Sequence, residues 1–279
     1  MKPASLLALL LWLPCAWLHA SEDPGAAQPL AIGDTFTIAS RALGEVRRIN
    51  VYRAPGHGAP VDAPLPVMVM PDGGIGEDFL HVAGLVQVSV GNGTMRPFML
   101  VGIENTERRR DMTGPTDNPE DRSIAPRVGG SAAFRDFLRD ELLPQIGRRY
   151  RVTGETALVG ESLAGLFVVE TFLLEPRLFD SYLAFDPSLW WNDRALLEGL
   201  DALLASRPET ENALFLANSD QPEIAEATTR LARGLEAASL PGLRLYHLSM
   251  PEERHQTIYH PAALRAFRVL FAPEAPNEP

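Results

Sequence analysis

A chain of 279 residues, 46% hydrophobic and 22% charged, has the make-up of a globular protein able to fill one α/β domain. Its formal charge of −11 excludes a nucleic-acid binder, because phosphate recognition needs a dense positive surface. Arg108, Arg109 and Arg110 form one tight basic cluster, enough for a single anionic ligand and too small for a nucleic-acid footprint.

In chain order, residues 1–20 read as a secretory signal peptide. Lys2 supplies the positive start, Ser5 to Trp17 is almost wholly apolar yet short for a membrane span, and Leu18-His19-Ala20 precedes polar Ser21-Glu22-Asp23. The bulky Leu18 leaves an uncleaved N-terminal anchor as the alternative. Cys15, the sole cysteine, lies in this segment, so a cleaved chain has neither a disulfide nor a thiol nucleophile. The expected location is periplasmic or secreted, in a bacterium, with no stable membrane insertion after cleavage.

Residues 21–34 read as a flexible lead-in, 35–272 as one folded domain and 273–279 as a flexible tail. Thr35 to Ala39 and Glu45 to Tyr52 alternate apolar and polar residues, as two antiparallel edge strands would. Leu65 to Met70 is a buried strand running into the sharp turn Pro71-Asp72-Gly73-Gly74. A helix over Phe79 to Val88 and a strand over Phe98 to Ile103 follow, then a polar loop from Glu104 to Gly130 without periodicity. Phe134, Phe137, Leu138, Leu142 and Ile146 fall at helical spacing within Ala132 to Tyr150. Further strands are expected at Thr156 to Val159, Ser181 to Phe185, Ala213 to Ala217 and Leu243 to Leu248. Helices are expected at Leu163 to Leu174, Ile224 to Ala238 and Pro261 to Leu270. Apolar strands alternating with helices predict an α/β fold, with a mostly parallel central sheet, helices on both faces and an antiparallel N-terminal edge.

One strand-to-helix junction carries chemistry. Gly160-Glu161-Ser162-Leu163-Ala164 approximates a nucleophile elbow, in which a serine is exposed on a sharp turn between a strand and a helix. Ala164 stands where a second glycine is usual, and Gly165 follows it. A base should come last in the chain, and His255 lies in the polar loop between the last strand and the last helix. His247 sits inside a strand and His260 at a helix start, where structural roles suffice. The acid is expected after the strand at Ala213 to Ala217, as Asp220 with Glu223 the competitor. For the oxyanion hole, the backbone N–H of Leu163 is expected to act with that of Gly73 or Asp72.

The sequence resembles the serine esterase family of the α/β-hydrolase superfamily that holds esterase D and the periplasmic siderophore-trilactone esterases. The likeness rests on Phe36-Thr37-Ile38, Arg48-Ile49-Asn50-Val51-Tyr52, Asp72-Gly73, Pro187-Ser188-Leu189-Trp190-Trp191 and the His255 loop. It rests above all on Asn105 to Asp111, similar to an N-T-x-R-x-R-D signature. The resemblance implies an α/β-hydrolase catalytic domain, carboxylic-ester hydrolysis with Ser162 as nucleophile and His255 as base, and no metal or organic cofactor. In the siderophore branch arginines and aromatics contact an anionic iron chelate. Here Arg108, Arg110, Trp190 and Trp191 are the residues that would do so, with bracing of the long loop as the alternative for the arginines.

The expected partner is thus a small-molecule ester, hydrolysed through an acyl-enzyme, either a siderophore lactone or a small acyl or aryl ester. Acyl transfer by the same residues and a non-catalytic iron-chelate binder on a hydrolase scaffold are the alternatives.

Overall fold

Alternating apolar and polar residues make half-buried strands of Asp34–Ser40 (β1) and Glu45–Arg53 (β2), paired antiparallel with Asp34 opposite Val51 and Ser40 opposite Glu45. The computed structural model describes residues 27–54 and 62–273. The expected signal peptide, the first part of the lead-in (residues 21–26) and most of the tail lie outside these residues. Leu65–Met70 is β3, and Met99–Ile103, β4, pairs antiparallel with β2. Every later pairing is parallel, through Val152–Glu161 (β5), Ser181–Phe185 (β6), Asn212–Asn218 (β7) and Leu243–Ser249 (β8). The order across the eight-stranded sheet is β1-β2-β4-β3-β5-β6-β7-β8, mostly parallel with an antiparallel N-terminal edge, as expected.

Helices cover both faces. On one, Phe79–Gly91 (α1) and Tyr259–Leu270 (α10) bring Phe79, Val86 and Phe267 onto Met68, Val159 and Phe215. Between α1 and α10 in the chain come the short helices Arg108–Asp111 (α2) and Pro119–Ser123 (α3), and then Ser131–Phe137 (α4). On the other face α4, Leu163–Leu174 (α6) and Pro222–Ala238 (α9) pack Phe134, Phe167 and Leu231 onto Val69, Leu158 and Leu214. Neighbouring residues Leu158 and Val159 of β5 therefore feed opposite cores, which is why its end is an unbroken apolar run. The helical stretch expected from Ala132 to Tyr150 is helical throughout but not uniform. It passes from α4 through a π turn at Leu138–Leu142 into Leu143–Arg149 (α5). Pro144 enters there, and a wider turn relieves the clash its ring would make in a regular helix.

Buried charge fastens the polar segment after β4 to the sheet. Arg47 of β2 has no exposed surface and pairs with Asp111, which is equally buried. Its guanidinium also donates to Thr106 Oγ1 (3.0 Å) and to the carbonyl of Glu104 (2.9 Å), and lies over the Phe134 ring. Removing one partner of such a pair leaves a charge in an apolar interior. Arg47→Met is expected to lower the unfolding free energy by about 3 kcal/mol in urea melts followed by circular dichroism.

Candidate active site

Chain order reverses across the sheet at β3, which has β4 on one side and β5 on the other. In open α/β sheets the crevice outside the carboxyl ends of strands at such a switch point is where ligands bind. Asp72, Ser162 and Asp186 follow β3 and end β5 and β6 here, and all three have left-handed backbones (φ 56°, 60° and 43°). A non-glycine residue there costs roughly 1–3 kcal/mol and persists only when its surroundings fix it.

Ser162 is fixed on both sides. Its N–H donates to Phe185 O (3.0 Å), and its carbonyl accepts from Leu166 (2.9 Å) and Ser188 (3.0 Å). The turn is tight enough that a Cβ on Gly160 would stand 2.7 Å from the Ala164 methyl, and one on Gly165 2.9 Å from Phe185 O. Ala164 in place of glycine is accommodated because the residue facing its methyl is Gly160.

Around Ser162 the structure assembles one hydrogen-bonded line. His255 Nε2 is 3.0 Å from Ser162 Oγ and Nδ1 is 2.9 Å from Asp186 Oδ2. In the tautomer that satisfies both bonds, Nδ1–H donates to the carboxylate and Nε2 accepts from the serine hydroxyl. Asp186 is wholly buried, and its two oxygens also accept from Ser219 N–H (2.6 Å) and Ser219 Oγ (2.6 Å) at the end of β7. That bond to Asp186 raises the His255 pKa above its ordinary value, against the opposing effect of burial and with help from the Glu161 carboxylate.

The carboxylate on His255 is therefore Asp186, after β6, and not the expected Asp220 after β7. Asp220 and Glu223 are both exposed, and Asp220 serves through its N–H, which donates to Glu253 O (2.9 Å) and braces the His255 loop. What stands at the end of β7 is Ser219, a donor to the acid. Asp186 was missed because Asp186-Pro187 reads as a turn; an aspartate directly closing the apolar run Ser181 to Phe185 is the signal that points to it. His247 Nε2 lies 2.9 Å from Asn218 Oδ1, and His260 stacks on His81, away from the line, as read from their positions in the sequence.

Gly73 does not offer a free amide. Its N–H donates to Ile103 O (2.9 Å), and a Cβ there would stand 2.2 Å from Ile103 N, so this glycine exists for close packing against β4. The preceding amide, of Asp72, has no hydrogen-bond acceptor among the described residues, nor has that of Leu163 at the start of α6. The Asp72 carboxylate is held by Arg108 through two bonds (2.7 and 2.8 Å) and by Asn105 Nδ2 (2.5 Å). Arg110 is committed to Glu45 (2.7 Å) and Asp111 (2.7 Å), and Thr106 to Glu45 (2.6 Å). The signature from Asn105 to Asp111 is thus a brace between β2, the Asp72 turn and α2, in which Arg108 and Arg110 are paired with carboxylates while Arg109 between them is exposed.

The family model Putative esterase matches residues 40–264 of this chain. The chain belongs to that family. It is a carboxylic-ester hydrolase of the serine esterase type. The esterase is 28% identical over 206 residues to the ferri-bacillibactin esterase BesA of Bacillus subtilis, covering 69% of each chain. It is 23% identical over 236 residues to the iron(III) salmochelin esterase of Escherichia coli, covering 81% of this chain and 53% of that one. Its fold superposes on an IroE-like serine hydrolase from Shewanella oneidensis with a TM-score of 0.77 at 28% identity, over 86% of this chain and 80% of the other.

The esterase joins two distant segments after the Ser188 turn. Beyond Ser188, Trp191–Glu198 (α7) opens with three left-handed residues, Asn192, Asp193 and Arg194, and leads into Leu200–Ala205 (α8). The strain is met by the loop before α4: Asn192 N–H donates to Asp121 Oδ2 (2.7 Å), Asn192 Oδ1 accepts from Thr116 Oγ1 (3.1 Å), and Asp193 accepts from Asn118 Nδ2 (2.9 Å). Trp191, expected on the substrate, is 5% exposed and donates its indole N–H to Gly114 O (2.8 Å), whereas Trp190 is 37% exposed. Trp191 is part of the frame.

Because the folded pKa of His255 lies above the unfolded one, the Asp186 bond stabilises the fold fully below the ordinary pKa of 6.5. That contribution fades as pH rises through the folded value. Asp186→Asn is expected to bring the imidazole titration, followed by NMR, to lower pH than in the unaltered protein.

Proposed function

We propose that the esterase hydrolyses its substrate through an acyl-enzyme on Ser162, with His255 as general base and Asp186 as the third member of a catalytic triad. The observation that carries this reading is the unbroken line from Ser162 Oγ through both nitrogens of His255 to Asp186, at 3.0 and 2.9 Å. Nε2 takes the hydroxyl proton as Oγ attacks the ester carbonyl, and the imidazolium so formed is stabilised by the buried carboxylate. The tetrahedral oxyanion is taken by the N–H groups of Leu163 and Asp72. The imidazolium then protonates the leaving alcohol. Water, deprotonated by His255, attacks the acyl-serine and releases the acid.

For substrate we propose the ester bonds of a siderophore, supported by relatives whose names record ferri-bacillibactin and iron(III) salmochelin. Arg108 would serve that reaction by holding the Asp72 turn, and Trp190 by offering an apolar face. Export to the periplasm or exterior is supported by the signal-like residues 1–20 and by such a substrate; no described helix is long and apolar enough to cross a membrane.

Ser162→Ala is expected to reduce p-nitrophenyl ester turnover to background. Asp186→Asn should lower kcat by roughly 10³–10⁴-fold, and Asp220→Asn should leave it unchanged. Retained turnover in the serine variant, or equal losses in the two aspartate variants, would overturn the assignment.

A further inference from the structure

The residue before the serine carries a carboxyl group for which the acyl-enzyme reaction, as set out above, has no use. Glu161 Oε1 lies 3.4 Å from His255 Nε2, the same nitrogen that meets Ser162 Oγ. That oxygen is buried and has no hydrogen-bond partner among the described residues. Carboxyl oxygens inside a protein are nearly always paired, so an orphan aimed at a reacting atom calls for an explanation in the reaction.

Several groups face this pair. From α2 comes Arg108, from the β3 turn Asp72, from the end of β6 Asp186, and from α10 Tyr259. Tyr259 is itself buried, and its hydroxyl has no hydrogen-bond partner among the described residues. Burial is the main effect on Glu161 and pushes its pKa up to about 7, while His255 and Arg108 pull it down. At rest, Nε2 accepts the Ser162 proton and a second unprotonated acceptor beside it would be repelled. Once Nε2–H exists, an ionised carboxylate at the same distance is attracted.

We propose that Glu161 is a further catalytic residue, a second carboxylate on the His255 ring that stabilises the imidazolium as Ser162 attacks. No bond to Glu161 forms or breaks in this step. The proton moves from Ser162 Oγ to Nε2 and later to the leaving alcohol, and Glu161 contributes its charge where positive charge develops. Asp186 acts on the Nδ1 edge of the ring and Glu161 on the Nε2 edge. The role rests on the Ser162–His255 reading of the mechanism.

The sign of the consequence is fixed by charge. An ionised Glu161 raises the His255 pKa, so neutralising it must lower that pKa. In Glu161→Gln the acid limb of kcat/KM against pH, measured with a p-nitrophenyl ester, is expected to move to lower pH by about half a unit or more. The plateau is expected to fall roughly tenfold. Glu161→Asp, which keeps the charge but withdraws it, should give a limb between the two. A plateau that falls while the limb stays with the unaltered protein would mean a packing role and overturn the proposal, as would two coincident profiles. Fluorophosphonate labelling of the unaltered enzyme separates the layers. No adduct on Ser162 refutes the acyl-enzyme reading, whereas an adduct with an unmoved limb refutes the role of Glu161 alone.

Discussion

At Ser162 the chain leaves a strand and enters a helix within a single residue at φ 60°. That turn costs free energy locally and is held by three backbone hydrogen bonds, one to the last residue of β6 and one to the segment just after it. The same segment carries Asp186. The fold therefore sets Ser162 and Asp186, the proposed nucleophile and acid, with one piece of backbone, and the His255 loop spans from β8 to meet them. Strands β3, β5 and β6 are each followed by a left-handed residue at the same edge of the sheet, so strain is concentrated around the line from Ser162 through His255 to Asp186.

Charge is arranged in two tiers behind this edge. Arg47, with Asp111 and Glu45, closes a buried network that fastens the Asn105 to Asp111 run to the sheet. From that run Arg108 reaches forward and clamps Asp72, whose turn presents its amide to the crevice. A run of arginines that looks like an anion site in one dimension is, in three, the means by which a sheet interior fixes a turn. Arg108 also offsets the negative charge of this region, since it lies within electrostatic reach of both Asp72 and Glu161.

Much of the fold was legible because the strands are apolar runs of the right length separated by strong breaks. Ser162 and His255 were legible for the same reason, since each is defined by the element before and after it. Asp186 was less so, because several strands end in polar residues at the same edge, and beyond its place directly after an apolar run nothing local separates an acid that turns inward from one that faces water. Gly73 misled because glycine relieves crowding as readily as it frees an amide, and only its neighbour Ile103 decides which. Helices α7 and α8 left little periodicity because each is two turns or less and α7 begins with a left-handed run. Glu161 reads as an ordinary spacer in the elbow motif; its meaning depends on a histidine 94 positions later.

The left-handed run at Asn192 to Arg194 and the segment from Gly114 to Asp121 are tied to each other as well as to their own neighbours. Each satisfies the polar atoms the other exposes, through Asp121, Thr116, Asn118 and the Trp191 indole. Two stretches separated by some 70 residues of chain thus share one hydrogen-bonded seam, so loosening either removes partners from the other. A substitution at Asp121 or Asn192 therefore strips a hydrogen-bond partner from a segment far away in the sequence, so its effect is felt on both sides of the seam.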